Sequence, residues 1–270
     1  MTNGQDAELD RPNVARIYDY FLGGEQNFTA DRAAAEHVLD NYPDAALAAR
    51  ANRAFLGRAV TALAQEGIDQ FLDIGSGLPT VDNVHEVARR ANPRARIVYV
   101  DNDPVAVRYS RELLAEEGEN ARGVAAIEAD LRDPAVILDH PETRRLLDDR
   151  RPLGLLLVAV LHFVLDDDEV RRALGAFREA LAPGSYVVLS HATLDGLPAD
   201  TIARFEAIYR RSSNPTIARS RARIEALFEG LDVVPPGIVL TPRWRPDEAR
   251  DPLADEPVRA AVLAGVGRKP

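Results

Sequence analysis

Apolar residues recur every three or four positions through the first quarter of the chain, which is the spacing of helices that bury one face. Gly23-Gly24 and Gly67 interrupt the pattern, as glycines do at helix ends, and Thr29 is a candidate N-cap. The pattern predicts three helices, over 12–22, 30–39 and 44–66. The polar residues before them, 1–10, are expected to be loose. Residues 1–67 are therefore expected to form a helical N-terminal extension, or lid, packed on the core.

From residue 68 onwards the pattern changes to short apolar strands that alternate with helices. Strands are predicted over 68–74, 96–100, 124–129, 153–160 and 186–190, and helices over 81–91, 104–117 and 167–181. The fourth strand is almost continuously apolar, as expected where both faces of a sheet are covered. This alternation is typical of a doubly wound α/β fold with a mostly parallel sheet.

The last part of the chain predicts helices over 199–211 and 216–228, a strand over 231–240 and a final strand over 258–266. Two late strands joined by a proline-rich loop indicate a hairpin that closes one edge of the sheet. The Pro235-Pro236 pair suits a bulge or an edge, because proline donates no backbone hydrogen bond. Residues 68–270 are expected to form the core domain, in one globular unit with the extension.

Composition excludes several kinds of chemistry. The 270 residues include no cysteine, so a disulfide scaffold, a cysteine-ligated metal and a cysteine nucleophile are all excluded. A net charge of −10 disfavours nucleic acid as a partner. The longest apolar stretch, 153–165, is shorter than the roughly 20 residues that a membrane span needs. No signal-peptide pattern opens the chain, so a cytoplasmic protein without a membrane partner is expected.

The stretch from Phe71 to Thr80 combines a strand, a glycine turn and the start of a helix. Gly75, Ser76 and Gly77 let the backbone turn sharply and approach a ligand closely, and the helix N-terminus offers free N–H groups. A dinucleotide-binding loop would have a third glycine at position 80, which packs its helix against the strand. Thr80 stands there instead, which disfavours a nicotinamide-dependent oxidoreductase.

Three carboxylates fall at the predicted carboxyl ends of strands, the edge at which open α/β sheets bind ligands. Asp73 precedes the glycine loop and can accept hydrogen bonds from an ammonium group. Asp101, with Asn102 beside it, lies 24 residues after the last glycine of the loop, a spacing that suits a carboxylate bonding both ribose hydroxyls. Asp130, followed by Leu131, can accept a hydrogen bond from adenine N6. The implied ligand has a ribose, an adenine and an amino-acid moiety but no phosphate, and S-adenosylmethionine fits.

Five sequence segments, spread from residue 11 to residue 104, together form a recognisable motif pattern. They are Arg11-Pro-Asn-Val-Ala-Arg-Ile-Tyr-Asp-Tyr-Phe-Leu-Gly-Gly24, Asn27-Phe28-x-x-Asp31-Arg32, Arg50-Ala-Asn-Arg-Ala-Phe-Leu56, Phe71 to Thr80, and Tyr99-Val-Asp-Asn-Asp-Pro104. Over nearly its full length the chain thereby resembles an S-adenosylmethionine-dependent methyltransferase family of GC-rich bacteria, long classed as a domain of unknown function. The resemblance implies a Rossmann-like class I methyltransferase fold, whose seven-stranded sheet has an antiparallel last strand. The broader superfamily often has a third glycine where this chain has Pro79.

The same resemblance points to further site residues. Class I methyltransferases often place substrate-facing residues after the fourth strand, where His162 is the candidate base or positioning residue. His191, after the fifth strand, is a second candidate. In this class an N-terminal helical segment commonly folds over the cofactor, and Tyr20 and Asn27 would meet the cofactor's polar ends. For each residue, ordinary packing is the alternative interpretation.

Other charged groups have simpler structural interpretations. Asp166-Asp167-Asp168-Glu169 resembles a site for a hard cation, but it opens a predicted helix, where acids complement the helix dipole, and no metal site is expected. The basic stretches Arg210-Arg211 and Arg219 to Arg223 are expected on exposed helix faces. Arg16 and Arg53 can pair with a carboxylate of the cofactor or the substrate, although ordinary surface pairs are expected in a chain so rich in arginine.

These observations predict a methyltransferase that moves the methyl group of S-adenosylmethionine to a small-molecule acceptor. The acceptor and the oligomeric state do not follow from the residues. A non-catalytic protein or sensor that binds S-adenosylmethionine remains the alternative, because few side chains in the predicted site could act as a base.

Overall fold

The computed structural model describes residues 11–79, 82–209, 215–247 and 252–270. Four sequence features lie outside these ranges: the polar residues 1–10, Thr80, the start of the helix predicted at 81, and Arg210-Arg211. Within them, no helix combines the length and the apolar character that crossing a membrane requires.

Three helices open the described chain: α1 (Val14–Leu22), α2 (Thr29–Asn41) and α3 (Ala45–Gln65). Their prediction from apolar spacing is confirmed. The Asn13 side chain caps α1 by accepting hydrogen bonds from the N–H groups of its first turn, and Gly23 ends it in the left-handed conformation, with φ 82°. The prediction that Thr29 caps α2 is wrong, because Thr29 is already helical and the Asp31 carboxylate accepts the Phe28 N–H instead.

The remaining helices and strands alternate as predicted. The strands are β1 (Gln70–Ile74), β2 (Arg96–Asp101), β3 (Val124–Glu128), β4 (Gly154–Val158), β5 (Tyr186–Ala192), β6 (Asp232–Val233), β7 (Val239–Leu240) and β8 (Val262–Arg268). The helices are α4 (Val84–Ala91), α5 (Pro104–Glu117), α6 (Pro134–Asp139), α7 (Pro141–Leu146), α8 (Asp167–Ala180), α9 (Ala199–Tyr209) and α10 (Arg221–Ala226). The sequence pattern missed α6 and α7, which are single short turns that each begin at a proline.

One mixed sheet has the strand order β3-β2-β1-β4-β5-β8-β6, with β7 also paired to β8. Strands β1 to β5 are parallel, and β8 runs antiparallel to β5. The predicted Rossmann-like fold with an antiparallel last strand is therefore confirmed. Between β1 and β4 the strand order reverses, and this is the point at which doubly wound sheets open a crevice for ligands.

The late strands differ from the prediction in detail. The strand expected over 231–240 is split into β6 and β7, so the sheet has eight strands rather than seven. Pro235 and Pro236 lie between the two pieces and cannot donate to a ladder, which explains the interruption. Of the helix expected over 216–228, only α10 is present in the structure. Residues 215–220 are not helical, and Ile217 N–H and Arg219 N–H instead donate to the carbonyls of His162 and Ala192.

Helix α3 shares an apolar core with the sheet. Phe55 and Val60 are fully buried in one cluster with Phe71, Leu156 and Val188. The packing of the N-terminal helices is thus continuous with that of the core, and the division at residue 67 stays a prediction from sequence.

A buried ion pair joins α1 to α2. Arg16 and Asp31 are 2% and 0% exposed, and Arg16 Nε lies 2.8 Å from Asp31 Oδ2. The expectation of a surface pair for Arg16 is wrong. The same carboxylate accepts the N–H groups of Asn13, at 2.8 Å, and Phe28, at 2.9 Å, so one side chain fixes the start of both helices.

Replacing Asp31 by alanine should therefore destabilise the protein strongly. The change leaves the Arg16 charge buried without its carboxylate, which costs about 3–5 kcal/mol of unfolding free energy in comparable cases. Asp168→Ala is the control, since it removes a carboxylate from an exposed pair with Arg171 and should cost under about 1 kcal/mol. Urea unfolding followed by circular dichroism measures both, and equal losses would contradict the assignment.

Candidate functional site

The glycine loop turns at the carboxyl end of β1. Gly75 and Gly77 have φ of 71° and 65°, which favours glycine at both positions. The N–H groups of Gly75 and Ser76 donate to the Val100 carbonyl, at 2.8 and 3.1 Å, which fastens the loop to β2. A Cβ on Gly75 would lie 2.3 Å from a methyl carbon of Val160, so the loop also packs directly on the chain that leaves β4.

Asp101 joins the end of β2 to this loop. Its Oδ2 accepts the Gly77 N–H at 2.8 Å, and its Oδ1 accepts the Asp103 N–H at 2.9 Å. Burial raises the pKa of Asp101, and the backbone hydrogen bonds oppose that rise. A carboxylate has about four acceptor sites, so the side chain can accept a further hydrogen bond. The two residues that the sequence placed 24 positions apart are thus in direct contact.

Asp73 is buried beside the loop without a hydrogen-bond partner among the described residues. Its side chain is 5% exposed, and it lines a small pocket together with Arg53, Ser76 and Gly77. Burial raises the pKa of Asp73 to about 7, the positive charge of Arg53 lowers it, and the negative charge of Asp101 raises it further. A carboxylate and a guanidinium facing one cavity complement a ligand with an ammonium and a carboxylate group.

Asp130 follows β3 at the same edge of the sheet. Its Oδ1 accepts the backbone N–H of Arg132 at 2.8 Å and the Arg132 Nε at 2.9 Å. These hydrogen bonds lower the pKa of Asp130, and the Asn102 side chain adds a smaller lowering. Leu131 packs against the apolar core below. The structure thus brings Asn102 and Asp130 together, and the Ala129 N–H ties this strand end to the Asp101 carbonyl.

His162 lies in a single 3-10 turn, Leu161–Phe163, which follows β4. Its ring centre is 4.4 Å from that of Phe163 and 5.7 Å from that of His191. Burial lowers the pKa of His162 well below its ordinary value, and His191 and Arg219 lower it further, so the imidazole is neutral at pH 7. Its Nδ1 is buried and has no hydrogen-bond partner among the described residues. A neutral imidazole has one nitrogen that can accept a proton, while the same burial and positive charge disfavour the protonated form.

Comparison with known proteins decides the family. A family model described as S-adenosyl methyltransferase matches residues 1–270. The chain is also similar to a crystal structure described as a "putative methyltransferase" from Thermobifida fusca, at 45% identity over 99% of both chains, with a TM-score of 0.88. The chain belongs to the S-adenosyl methyltransferase family.

Two further solved structures resemble this family member. A DUF574 family protein from Streptomyces avermitilis is 41% identical over 97% of this chain and 99% of its own, with a TM-score of 0.90. The S-adenosylmethionine-dependent methyltransferase SibL is 19% identical over 78% of this chain and 53% of its own, with a TM-score of 0.50, and shares the fold alone. No curated protein matches the chain.

The N-terminal candidates of this methyltransferase family member are held within their own segment. Asn27 Nδ2 donates to the Asp19 carboxylate and the Gly24 carbonyl, both at 2.9 Å, while its Oδ1 accepts from Arg32. The Tyr20 ring packs edge-on against Phe21, with the ring centres 6.3 Å apart. Contact of Tyr20 or Asn27 with a cofactor therefore stays a prediction.

Gly24 is fixed by close packing that the sequence pattern did not reveal. A Cβ at Gly24 would lie 1.9 Å from Asp19 Oδ1, so no larger residue fits beneath that carboxylate. Helix α1 approaches the glycine loop through Ala15, whose Cβ lies 3.8 Å from the place of a Cβ on Gly77.

His191 has both ring nitrogens occupied. Nδ1 lies 2.8 Å from the Ala192 carbonyl, and Nε2 accepts from Arg219 Nη1 at 2.7 Å. Burial lowers the pKa of His191 to about 4. The expectation that Arg219 lies on an exposed helix face is wrong, since its side chain is 1% exposed and precedes α10. His191 is thereby fixed in one neutral tautomer and offers no free nitrogen to a substrate.

The acidic run from Asp166 to Glu169 forms the N-cap and first turn of α8, as predicted. Asp166 Oδ1 accepts the N–H groups of Asp168 and Glu169, at 2.7 and 3.3 Å. Asp167 pairs with the guanidinium groups of Arg219 and Arg223. These partners leave the run a structural role at the N-terminus of α8.

A separate cluster has side chains of the kind that bind cations. His85, Glu86 and Glu117 could offer three ligand atoms within 4.8 Å of one another. Protein groups already engage them. His85 Nδ1 lies 2.7 Å from the Tyr99 hydroxyl and Nε2 lies 3.0 Å from Glu117, while Glu86 accepts the Asn83 N–H at 2.8 Å. The cluster therefore has a hydrogen-bonding role beside the cavity.

Asparagine in place of Asp73 should stabilise the protein at high pH. The pKa of Asp73 in the folded protein, about 7, lies above its ordinary value of 3.8. The folded state keeps a proton that the unfolded state has lost, so this group reduces stability increasingly as the pH rises from about 4 to about 7. Asp73→Asn should raise the free energy of unfolding by up to about 4 kcal/mol above pH 7 and by little near pH 4.

Urea unfolding between pH 4 and pH 8.5 measures this difference. Comparison with wild type isolates Asp73, because His162 and His191 titrate in both proteins. Asp69→Asn is the control, since Asp69 pairs with Arg151 in a more exposed position before β1. A stability gain from Asp73→Asn that stays constant across this pH range would contradict the buried, protonated carboxyl.

Proposed function

We propose that the protein binds S-adenosylmethionine at the carboxyl-end edge of the sheet and transfers its methyl group to a small-molecule acceptor. Membership of the S-adenosyl methyltransferase family supports the reaction class. The acidic net charge of −10 favours a small acceptor over a nucleic acid.

The observation that carries the proposal is the buried Asp73 carboxyl, which lines one pocket with Arg53 beside the glycine loop. An amino-acid group presents an ammonium and a carboxylate together, so it would satisfy both residues at once. An ammonium at Asp73 would also offset the repulsion between the carboxylates of Asp73 and Asp101. A pyrophosphate would meet the opposite electrostatics, which is why a dinucleotide is disfavoured.

The nucleoside would lie along the next two strand ends. Asp101 accepts from the ribose with the acceptor capacity that its backbone donors leave. Asp130, already oriented by Arg132 and Asn102, accepts from the adenine amine, and Leu131 adds apolar contact. Gly75, Ser76 and Gly77 allow the ligand to approach the backbone closely. Tyr20 and Asn27 are proposed to cover the cofactor from the N-terminal segment.

S-adenosylmethionine supplies a methyl carbon that is already activated by its sulfonium sulfur. The protein's task is then to align an acceptor and to receive its proton where the acceptor is protonated. His162 is proposed for that second role, because its imidazole is neutral and its Nδ1 is vacant among the described residues.

Calorimetry with S-adenosylmethionine and S-adenosylhomocysteine tests the binding. Both should bind, and Asp101→Ala should weaken each by at least about tenfold, because it removes charge-assisted hydrogen bonds to the ribose. Asp69→Ala removes the same charge from the start of β1, away from the carboxyl-end edge, and should leave the affinity unchanged. Binding of NAD without binding of either methionine nucleoside would overturn the proposal.

Turnover separates an enzyme from a sensor. Methyl release from S-adenosylmethionine across a panel of phenols, amines and carboxylic acids should be faster than in the absence of acceptor. It should fall in His162→Gln if this residue takes the proton. Binding without turnover on any member of a broad panel would favour the alternative of a non-catalytic sensor.

A further inference from the structure

A series of buried hydrogen bonds connects helix α1 to the backbone segment that follows β4. The Ala159 N–H donates to Ser190 Oγ at 2.9 Å, and the Ser190 hydroxyl donates to Asn52 Oδ1 at 2.6 Å. Asn52 Nδ2 donates to the Tyr18 hydroxyl at 3.0 Å, and that hydroxyl donates to the Ala49 carbonyl at 3.0 Å. All four bonds run in one direction, so each polarises the next.

Asn52 is the centre of this series. Its side chain is 3% exposed, and Ser190 is fully buried. Burial raises the pKa of the Tyr18 hydroxyl, which therefore stays protonated and able to donate. Replacing Asn52 by an apolar residue would leave both neighbours without a partner in a dry interior.

At the Ser190 end of this hydrogen-bond series, the hydroxyl bonds a residue whose backbone is strained. Ala159 has φ 56°, in the left-handed region that residues with a side chain rarely adopt. Its N–H is held by the Ser190 hydroxyl. The next residue, Val160, packs a methyl group against Gly75 of the glycine loop. Ser190 thereby fixes the part of the chain that supports the first glycine of the loop.

The Tyr18 end of the series fixes the other side of the loop. Tyr18 belongs to α1, whose Ala15 methyl group lies 3.8 Å from the place that a Cβ on Gly77 would occupy. Asn52 is also the chain neighbour of Arg53, which lines the cavity opposite Asp73. One asparagine thus connects the supports of both glycines with the residue that faces the amino-acid pocket.

We infer that Asn52 is a positioning residue that holds helix α1 and the Ala159–Val160 turn in register on either side of the glycine loop. The inference rests on the proposed binding of S-adenosylmethionine at that loop. Asn52 itself acts through Tyr18 and Ser190, and it shapes the loop to which the cofactor binds.

A double-mutant cycle on affinity tests the coupling. Calorimetry with S-adenosylhomocysteine is performed on wild type, Tyr18→Phe, Ser190→Ala and the double variant. Each single change should weaken binding, and the double change should weaken it less than the product of the two, by about threefold or more. Tyr18 and Ser190 share Asn52 as a partner, so non-additivity between them reports the link through that residue.

A matched pair provides the control. The Tyr42 hydroxyl also donates to a backbone carbonyl, that of Arg259, but has no hydrogen bond to Asn52. Tyr42→Phe combined with Ser190→Ala should therefore be additive. In an Asn52→Leu background that retains a native circular dichroism spectrum, the Tyr18 and Ser190 changes should become additive as well. Additive effects of Tyr18→Phe and Ser190→Ala in the native background would overturn the inference.

A spectroscopic measurement on the free protein tests the inference without a ligand. Tyr18→Phe should shift the backbone amide resonance of Ala159, two hydrogen-bonded side chains away, whereas Tyr42→Phe should not. An unmoved Ala159 resonance would overturn the inference even if the ligand binds. Failure of wild type to bind S-adenosylhomocysteine would instead overturn the proposed function, while a shifted Ala159 resonance would still support the link through Asn52.

Discussion

The hydrogen bond from the Gly77 N–H to the Asp101 carboxylate holds the glycine loop on the central strands of the sheet. Together with the hydrogen bonds from the Gly75 and Ser76 N–H groups to the Val100 carbonyl, it fixes where the chain goes after β1. The same carboxylate accepts the Asp103 N–H and thereby leads β2 into α5. A single acidic residue thus joins the glycine loop to the start of α5, at the edge of the sheet on which the proposed function depends.

Acidic side chains are concentrated at this edge, although burial disfavours the charged form of a carboxyl group. The Asp73 carboxyl carries the cost of burial together with the repulsion of Asp101, and only Arg53 opposes it among the charges that shift its pKa. Such a site is poised to favour a ligand that brings positive charge. S-adenosylmethionine carries positive charge at its ammonium and its sulfonium, whereas its product keeps only the ammonium. Bound as proposed, S-adenosylmethionine would therefore be favoured over its product by this negative charge.

Local signals in the sequence predicted the sheet and its edge, because strand periodicity, glycines and acids at strand ends act over a few residues. The spacing predicted Asp101 at a strand end of this edge, and the structure adds its hydrogen bond to the Gly77 N–H. Contacts between distant residues could not be predicted in this way. The burial of Arg219 depends on His191, Asp167 and two carbonyls brought together by folding. The role of Asn52 likewise depends on hydrogen bonds to Tyr18 and Ser190, which only the folded structure brings beside it.

Strand β8 is the last strand along the chain, yet it lies inside the sheet, between β5 and β6. Until residues 262–268 are in place, β5 has an open edge, and β6 and β7 have no partner. Closing the sheet therefore depends on a pairing between segments about 75 residues apart, which is slower to form than local structure. An unpaired, apolar β5 edge is also a template for pairing with other chains. During synthesis, the risk of aggregation is therefore greatest after β5 has been made and before β8 pairs with it.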